Sequence, residues 1–577
     1  MNEPLQILFG LLGGLAVFIF GMNMMSECLQ KAAGEKMKSI LELLTKNPVM
    51  GVLAGALTTA VLQSSSATTV MAIGFVSAGL MSLPQSISII LGANIGTTMT
   101  AQIIAFKISD YIYLFIFAGF AVAYLAKTEK VKNIGQTVFA FGLLFLGIET
   151  MGGVMKPLAG SPFFLYLIEK VADVPVLGVL TGTFMTLVVQ SSSATIAVLQ
   201  NFAEQPLSDG VTSIIGLAGA IPILLGDNVG TTITALLACV GQAKDAKRTA
   251  LAHCIFNLSG CLLFIWLIQP FAAVIRMLSP AGPEVEVISR QIANAHTMFN
   301  LIMTLIWTPL LPYMVKLVSG IVRESAKEPQ ALSEPVYLDQ KLTAQPAAAL
   351  RLVEKEIIHC GETADGLLQD LQELVKASDR KQYIRTQERT VQARGLYEQV
   401  TEYLSELFSA GSMSEEQAKE AAGLLYLLGD FDRIAFLCQE VLGLLPDKKE
   451  KKKKNAAISK DSSKDLSKGL SKEAQRDLEQ ILGLIGEMYK EAFQMLLGSD
   501  QDKRKKIRRK KEKMLDLGLH MRKAHLERVE KGKCSPKLTK TFYKILNTLD
   551  RLSNSCANIA DHEIGFLTGA AEYGKML

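Results

Sequence analysis

Long apolar stretches dominate the sequence up to about residue 320. The first runs from Leu5 to Met25, which is long enough to cross the hydrocarbon core of a bilayer as one helix. Further apolar stretches lie at about 48–82, 83–106, 111–126, 134–155, 174–202, 211–241, 249–275 and 293–319. Several contain Gly, Pro, Ser or Asn at their centres, which lipid tolerates only where protein covers the irregular backbone or where it lines a cavity. The pattern therefore predicts a polytopic membrane protein with broken or re-entrant helices.

From about residue 345 the pattern changes to short amphipathic periods. Apolar residues recur there at three- and four-residue steps through charged sequence, which is typical of helices in a bundle. They include Leu350, Leu352, Val353, Ile357, Ile358, Leu367, Leu368, Leu371 and Leu374. A Lys- and Ser-rich stretch at about 447–470 interrupts the pattern. It predicts a mobile loop between two helical groups, at roughly 346–445 and 471–575.

These patterns predict an all-α protein in three parts. A membrane domain covers residues 1–325, and a helical-bundle domain covers residues 346–577. Between them, residues 326–345 form a linker that contains Pro329 and Pro335.

The distribution of charge supports this division. Residues 1–330 contain 18 Lys and Arg and 17 Asp and Glu side chains, about 11% of that part, whereas residues 331–577 contain 42 and 38, about 32%. The first part is too apolar for an ordinary aqueous domain, and the second is more charged than the roughly 25% of average soluble domains. A single globular enzyme is therefore excluded.

Basic residues between the apolar stretches indicate the orientation. They form three clusters, which are Lys31, Lys36, Lys38 and Lys46, then Lys127, Lys130 and Lys132, and then Lys244, Lys247 and Arg248. Because cytoplasmic loops carry an excess of Lys and Arg, we place these loops and the C-terminal domain in the cytoplasm of a multi-pass plasma-membrane protein. Two further basic runs, at 448–454 and 503–511, lack the interleaved aromatic residues that stack on bases, so we expect no nucleic-acid partner.

The membrane domain contains an internal repeat. The segment from Pro48, PVMGVLAGALTTAVLQSSSATT, recurs 127 residues later as PVLGVLTGTFMTLVVQSSSATI from Pro175. Downstream, GANIGTT at 92–98 is matched by GDNVGTT at 226–232. The copies cover about 5–130 and 134–260, and further helices extend to about 320. Duplicated units with polar centres are typical of secondary transporters, and we favour an inverted arrangement because it makes one central site reachable from both sides.

The repeated serine run suits a small oxyanion together with Na⁺. Adjacent hydroxyl groups offer several donors, and a helix that begins there adds its N-terminal amides and the positive end of its dipole. The neighbouring Gln and Asn carbonyl oxygens are ligands for a hard cation. Neither motif contains Lys or Arg, so co-bound cations would balance the charge of the anion. The alternative is that these small polar residues only let membrane helices pack closely.

Asp227 is an ionisable residue inside an apolar stretch, at a place where the first copy has Ala93. A charge at such a depth is costly enough to be functional by default, so we expect Asp227 to help bind a cation or to tune the local electrostatics. The alternative is a position near water at the edge of a loop.

These motifs resemble those of the type II sodium/phosphate cotransporter family in its bacterial form. The resemblance covers about residues 5–320 and includes both QSSSAT runs, both glycine–asparagine runs, and a pair of HxxFN sequences at 253–257 and 296–300. It implies uptake of inorganic phosphate driven by a Na⁺ gradient, with the serine runs in re-entrant elements around a central site. By this resemblance phosphate contacts Ser65, Ser66, Ser192 and Ser193. Sodium-binding or site-shaping roles fall to Gln63, Thr68, Asn94, Gln190, Thr195 and Asn228.

The C-terminal domain resembles PhoU-type domains, which are pairs of three-helix bundles associated with phosphate uptake. The match rests on acidic helical segments at 428–435 and 549–563. It implies a regulatory role, and since acidic motifs of such domains can bind metal, Asp432, Asp550 and Asp561 are candidate ligands. Solvent-exposed helix charges are the alternative. A homo-oligomer or a cytoplasmic regulatory partner is a further expectation.

Two functions compete at this point. The first is sodium-coupled symport of inorganic phosphate into the cell, with no cofactor besides the coupling ion. The second is a membrane-anchored signalling or scaffold protein without transport, against which the intact polar motifs in both copies argue. We expect the HxxFN histidines to bond neighbouring helices rather than relay protons. An enzyme is not expected, because no nucleophile with a base and no phosphate-cradling GxxxxGK[ST] loop occurs.

Overall fold

The computed structural model describes most of the chain. The described residues are 3–42, 47–106, 108–159, 166, 170–171, 173–323, 333–377, 380–411, 413–445, 471–498, 501–532, 534 and 536–562. The predicted loop at 447–470 lies outside them.

Most described residues lie in α-helices. In the N-terminal part these are α1 (Glu3–Glu42), α2 (Pro48–Leu62), α3 (Ser65–Ser77), α4 (Leu83–Ile104), α5 (Ile112–Leu125), α6 (Glu129–Ala159), α7 (Pro175–Val189), α8 (Ser192–Ala203), α9 (Gly216–Ala238), α10 (Lys244–Phe264), α11 (Ile268–Leu278), α12 (Glu284–Trp307) and α13 (Leu311–Ile321). In the C-terminal part they are α14 (Pro346–Ala377), α15 (Arg380–Ser409), α16 (Glu415–Leu444), α17 (Lys472–Leu497), α18 (Gln501–Glu530) and α19 (Thr539–Ile559). The all-α prediction is confirmed for this part of the chain.

Several helices are suited to crossing a membrane. By length and composition four qualify, and they are Leu5–Lys31, Leu83–Ile104, Glu129–Met155 and Gly216–Ala238. Two further candidates are bent pairs, in which α10 meets α11 at 94° and α12 meets α13 at 82°. Pro270 and Pro312, which have no backbone N–H to continue the preceding helix, lie in the first turns after these bends. The helices α2, α3, α5 and α7 are apolar but shorter. This supports a multi-pass membrane protein with broken spans, as the sequence predicts.

The chain forms two compact units. The membrane unit contains α1 to α13 together with the segment Lys341–Ala348, which includes the first residues of α14. The C-terminal unit contains α14 from Ala349 onward and α15 to α19. The segment Lys341–Ala348 thus begins within the predicted linker and ends in the first turn of α14.

The two copies of the repeat share one close helix crossing. In the first copy α2 packs on α4, and in the second α7 packs on α9. A Cβ atom at Gly55 of α2 would overlap the backbone carbonyl oxygen of Ile89, and one at Gly182 of α7 would overlap that of Ile223. Since the obstacle is backbone in both cases, glycine permits a contact that a larger residue would open.

We predict that Gly55→Ala and Gly182→Ala each destabilise the membrane unit. Overpacking of a tight contact costs about 1–3 kcal/mol, and backbone cannot move aside as a side chain can. The variants should denature at a lower temperature in detergent than the wild type. Gly13→Ala is the matched control, because a Cβ there meets no atom within 4 Å. Unchanged thermal stability in both Gly55→Ala and Gly182→Ala would contradict the close packing of α2 on α4 and of α7 on α9.

Two buried tyrosine hydroxyls bond α14 to other helices of the C-terminal unit. The Tyr397 hydroxyl of α15 donates to the Cys360 carbonyl oxygen at 3.1 Å, and the Tyr489 hydroxyl of α17 donates to the Gly361 carbonyl oxygen at 2.6 Å. Two helical groups therefore share α14 through adjacent carbonyls. Burial raises the pKa of the Cys438 thiol in the same core to about 12, so this cysteine stays protonated as a small apolar residue.

Candidate functional site

Each QSSS run is a break between two helices. In the first copy α2 ends at Gln63, whose φ of 51° is left-handed, and in the second α7 ends at Gln190, with φ of 57°. These are the two non-glycine residues with positive φ in the described chain. Such a conformation costs about 1–3 kcal/mol and persists where the surroundings hold it. Its presence at both copies supports a functional break rather than simple helix packing.

The serine that follows each glutamine caps the next helix. The Ser64 hydroxyl oxygen accepts from the Ala67 backbone N–H at 3.2 Å, and that of Ser191 accepts from Ala194 at 3.3 Å. A helix begins directly after each cap, so the first backbone N–H groups of α3 and α8 have no partner within their own helix. Each break thus presents a helix N-terminus, which favours negative charge.

The four predicted phosphate residues occupy the first two positions of α3 and α8. Within the described residues, the hydroxyls of Ser65, Ser192 and Ser193 form no hydrogen bond, and the Ser66 hydroxyl accepts one from Thr234 of α9 at 3.2 Å. Donors that no protein acceptor uses are available to a ligand. No hydrogen bond joins the two serine runs to each other in this part of the chain.

A pair of threonines ties the two helices of each break together. In the first copy the Thr59 hydroxyl donates to Thr68 Oγ1 at 2.8 Å, and in the second Thr186 Oγ1 lies 3.1 Å from Thr195 Oγ1. All four threonines are buried. The sequence analysis selected Thr68 and Thr195 but missed Thr59 and Thr186, although the offset of 127 relates them as well.

The two glutamines differ between the copies. Gln63 is buried, its amide donates to the Ala60 carbonyl oxygen at 2.6 Å, and its Oε1 accepts from the Thr100 hydroxyl of α4 at 2.9 Å. Gln190 makes the equivalent bond to the Leu187 carbonyl oxygen at 3.0 Å but is exposed. Gln63 therefore links α2 to α4 within its own repeat, whereas the side-chain carbonyl oxygen of Gln190 is available to a ligand.

The asparagines of the glycine runs lie in the middle of α4 and α9. Asn94 and Asn228 are buried, and their amide groups donate to the carbonyl oxygens of Ile90 and Leu224, both at 3.0 Å. Asn94 Oδ1 also lies 3.3 Å from His253 Nε2, which joins α4 to α10. This contact supports the predicted structural role of His253.

Asp227 is fully buried beside the second break. Its Oδ1 accepts from the Thr186 hydroxyl at 2.6 Å, and its Oδ2 has no hydrogen-bond partner among the described residues. A buried carboxylate with one free oxygen is a costly arrangement that a bound cation would relieve. The alternative prediction, that Asp227 lies near water at the edge of a loop, is wrong, because the residue is buried inside α9.

The helices of the two copies interlock. The serine helix α3 of the first copy packs on α9 of the second, and the serine helix α8 of the second packs on α4 of the first. The Thr234–Ser66 bond belongs to the first of these contacts, and a bond from Gln200 Nε2 to the Ala101 carbonyl oxygen at 3.1 Å belongs to the other. The candidate site therefore draws on both copies, although the sequence could not show which helices meet.

The structure does not support the predicted metal site in the C-terminal unit. The described residues contain no group of three or more His, Cys, Asp or Glu side chains that could hold a metal ion. Asp432 forms an ion pair with Arg394 at 3.1 Å, Asp550 is half-buried, and Asp561 is exposed. An ordinary charge on a helix surface accounts for Asp432, and Asp561 lies in the turn that follows α19.

Comparison with known proteins matches both copies of the repeat. The Na⁺/Pi-cotransporter family model matches residues 17–153 and, separately, residues 154–281, so each copy of the repeat is matched once. An uncharacterized protein of Bacillus subtilis, YqeW, is 32% identical over 305 residues, which are 53% of this chain and 95% of that protein. The chain belongs to the Na⁺/Pi-cotransporter family. It is therefore a transporter and not an enzyme.

Two further relatives carry functional names. The putative inorganic phosphate export protein YjbB of Escherichia coli is 22% identical over 554 residues, which are 96% of each chain. Sodium-dependent phosphate transport protein 2A of Rattus norvegicus is 37% identical over 97 residues, which are 16% of this chain and 15% of that protein. No solved structure matches the chain. Family membership supports phosphate as the transported species.

Proposed function

We propose that the protein is a secondary transporter that couples the movement of inorganic phosphate to that of Na⁺. The observation that carries this proposal is the pair of capped helix breaks, whose serine hydroxyls and N-terminal amides offer donors to an anion. Neither 47–106 nor 171–243 contains a Lys or Arg residue. The anionic charge is therefore balanced by co-bound cations, which is the physical basis of coupling.

Within this proposal the polar residues divide into two groups. Ser65, Ser66, Ser192 and Ser193 donate to phosphate. Gln63, Thr68, Asn94, Gln190, Thr195, Asn228 and Asp227 bind Na⁺ or hold the site in shape. Among them Asp227 supplies the fixed negative charge, since its Oδ2 is unpartnered in the described structure. The two copies are related as inverted repeats, which lets one site open to either side.

The direction of net transport follows the gradients. With the inward Na⁺ gradient that most cells maintain, symport imports phosphate, and this is the direction we propose. Export is the second candidate, because a relative covered over 96% of its length is named as a putative phosphate export protein. The chemistry of the site is the same for both directions.

We further propose that the C-terminal unit is a cytoplasmic, PhoU-like regulatory domain. Its six described helices, α14 to α19, in two groups joined through α14, support a pair of three-helix bundles. The basic loops of the membrane unit support its cytoplasmic location.

Uptake of labelled phosphate into proteoliposomes tests the proposed function. We expect a higher initial rate with external NaCl than with KCl, because Na⁺ is the proposed coupling ion. Protein-free liposomes provide the background. Equal rates in NaCl and KCl would refute coupling. No uptake above background from monodisperse, correctly inserted protein would favour the scaffold alternative.

A further inference from the structure

A short segment at the end of the predicted linker is attached to the membrane unit. Residues Lys341–Ala348 belong to that unit, although the chain on both sides of them belongs to the C-terminal unit. Leu342 is fully buried within the segment and Pro346 is buried as well. The attachment is therefore built from side chains that pack, and it is not a passing contact of a surface loop.

Lys341 binds the end of α9. Its ammonium group lies 2.7 Å from the Ala238 carbonyl oxygen, 3.3 Å from that of Val240 and 3.4 Å from that of Leu237. The last carbonyls of a helix have no partner within the helix and carry its partial negative charge. A Lys ammonium with three donors satisfies both the hydrogen bonds and the charge.

Gln345 binds the beginning of α3. Its amide group donates to the Ala67 carbonyl oxygen at 2.9 Å. Ala67 directly follows Ser66 and also supplies the backbone N–H that the Ser64 cap binds. The side chain thus holds the turn that presents the first serine run.

The same two helices already meet inside the site. The Thr234 hydroxyl of α9 donates to the Ser66 hydroxyl oxygen of α3 at 3.2 Å. Lys341 and Gln345 form a second tie between α9 and α3, and only three residues separate them in sequence. A covalent bridge of this length fixes how far apart the two helices can lie.

We infer that Lys341 and Gln345 are positioning residues of the phosphate site. By joining the end of α9 to the first turn of α3, they set the distance between Thr234 and Ser66, and with it the donor geometry that phosphate meets. This inference rests on the proposed function. Pro346, the residue after Gln345, is the first residue of α14.

Phosphate kinetics in proteoliposomes separate a positioning role from a purely structural one. Lys341→Met and Gln345→Glu should each raise the KM for phosphate about three- to tenfold, the order of one weakened hydrogen bond to a charged ligand, while the maximal rate and the thermal stability change little. Lys341→Arg should restore most of the affinity, because it keeps the donors and the charge. Lys130→Met is the matched control, since Lys130 is an exposed basic residue on α6.

A double-mutant cycle tests the shared target. Lys341 and Thr234 are both inferred to set the spacing between α9 and α3. If so, the double variant Lys341→Met, Thr234→Val should lose less binding free energy for phosphate than the two single variants lose together. Wild-type KM values in Lys341→Met and Gln345→Glu would overturn the inference, as would lower thermal stability with unchanged KM. If Lys341→Met does not fold, the KM of Gln345→Glu for phosphate tests the inference alone. A wild-type protein without sodium-dependent uptake would instead refute the proposed function.

Discussion

Asp227→Asn should lower the apparent affinity for Na⁺ by about ten- to a hundredfold. The substitution keeps the size of the side chain and the acceptor for the Thr186 hydroxyl, but it removes the negative charge next to the unpartnered Oδ2. Loss of a charge-assisted contact is worth roughly 1.5–3 kcal/mol, which is one to two decades of affinity. The measurement is the Na⁺ dependence of phosphate uptake at saturating phosphate.

The matched control for this prediction is Asp110→Asn. Asp110 is exposed on the short 3-10 helix before α5, so the loss of its charge should leave the Na⁺ dependence unchanged. Thr186→Val should weaken Na⁺ activation less than Asp227→Asn, because it removes only an orienting hydroxyl. If Asp227→Asn retained the wild-type Na⁺ affinity, Asp227 would not belong to a sodium site.

Ser66→Ala and Ser193→Ala should each weaken phosphate binding by about ten- to a hundredfold. Each substitution removes one hydroxyl from the first turn of a serine helix, one per copy, and a hydrogen bond to a charged ligand is worth roughly 1.5–3 kcal/mol. The measurement is phosphate affinity at saturating Na⁺. The double variant should lose less binding free energy for phosphate than the two single variants lose together, because the two serines share one ligand and the site reorganises.

Val70→Leu is the control for the serine variants. Val70 lies on α3, one turn beyond Ser66, and the substitution adds one methylene group without removing a hydrogen-bond donor. It should leave phosphate affinity close to that of the wild type. If one serine variant kept full affinity while protein amount and folding were unchanged, the serine run of that copy would not line the phosphate site.

The sequence predicts the helix breaks well because their signal is local and duplicated. A serine run in an apolar stretch marks a cap and a new helix, and the constant offset gives two independent instances of it. The structure accordingly divides the stretch at 48–82 into α2 and α3 at Gln63, and that at 174–202 into α7 and α8 at Gln190.

The contacts between the copies could not be predicted from the sequence. Gly55 and Ile89, or Thr234 and Ser66, meet because of how whole helices cross, and periodicity shows only which residues are apolar. The same holds for Lys341, which the sequence analysis assigned to a linker. Its role depends on a helix end about a hundred residues earlier in the chain.

The predicted metal site in the C-terminal unit shows where resemblance alone misleads. Acidic residues such as Asp432 were selected by resemblance, but a metal site requires several ligands around one point. The structure instead gives Asp432 an Arg394 partner on the neighbouring helix α15. An acidic residue in an amphipathic helix carries no information on its partner until the helices are packed.

Coupled phosphate accumulation tests the central claim most directly. Purified full-length protein is reconstituted with equal phosphate concentrations on both sides of the liposome membrane and a Na⁺ gradient across it. The proposal predicts that labelled phosphate accumulates above equilibrium on the side with low Na⁺, and that reversal of the Na⁺ gradient reverses the flow. Phosphate that stays at equal concentration on both sides, whatever the direction of the Na⁺ gradient, would contradict sodium-coupled transport.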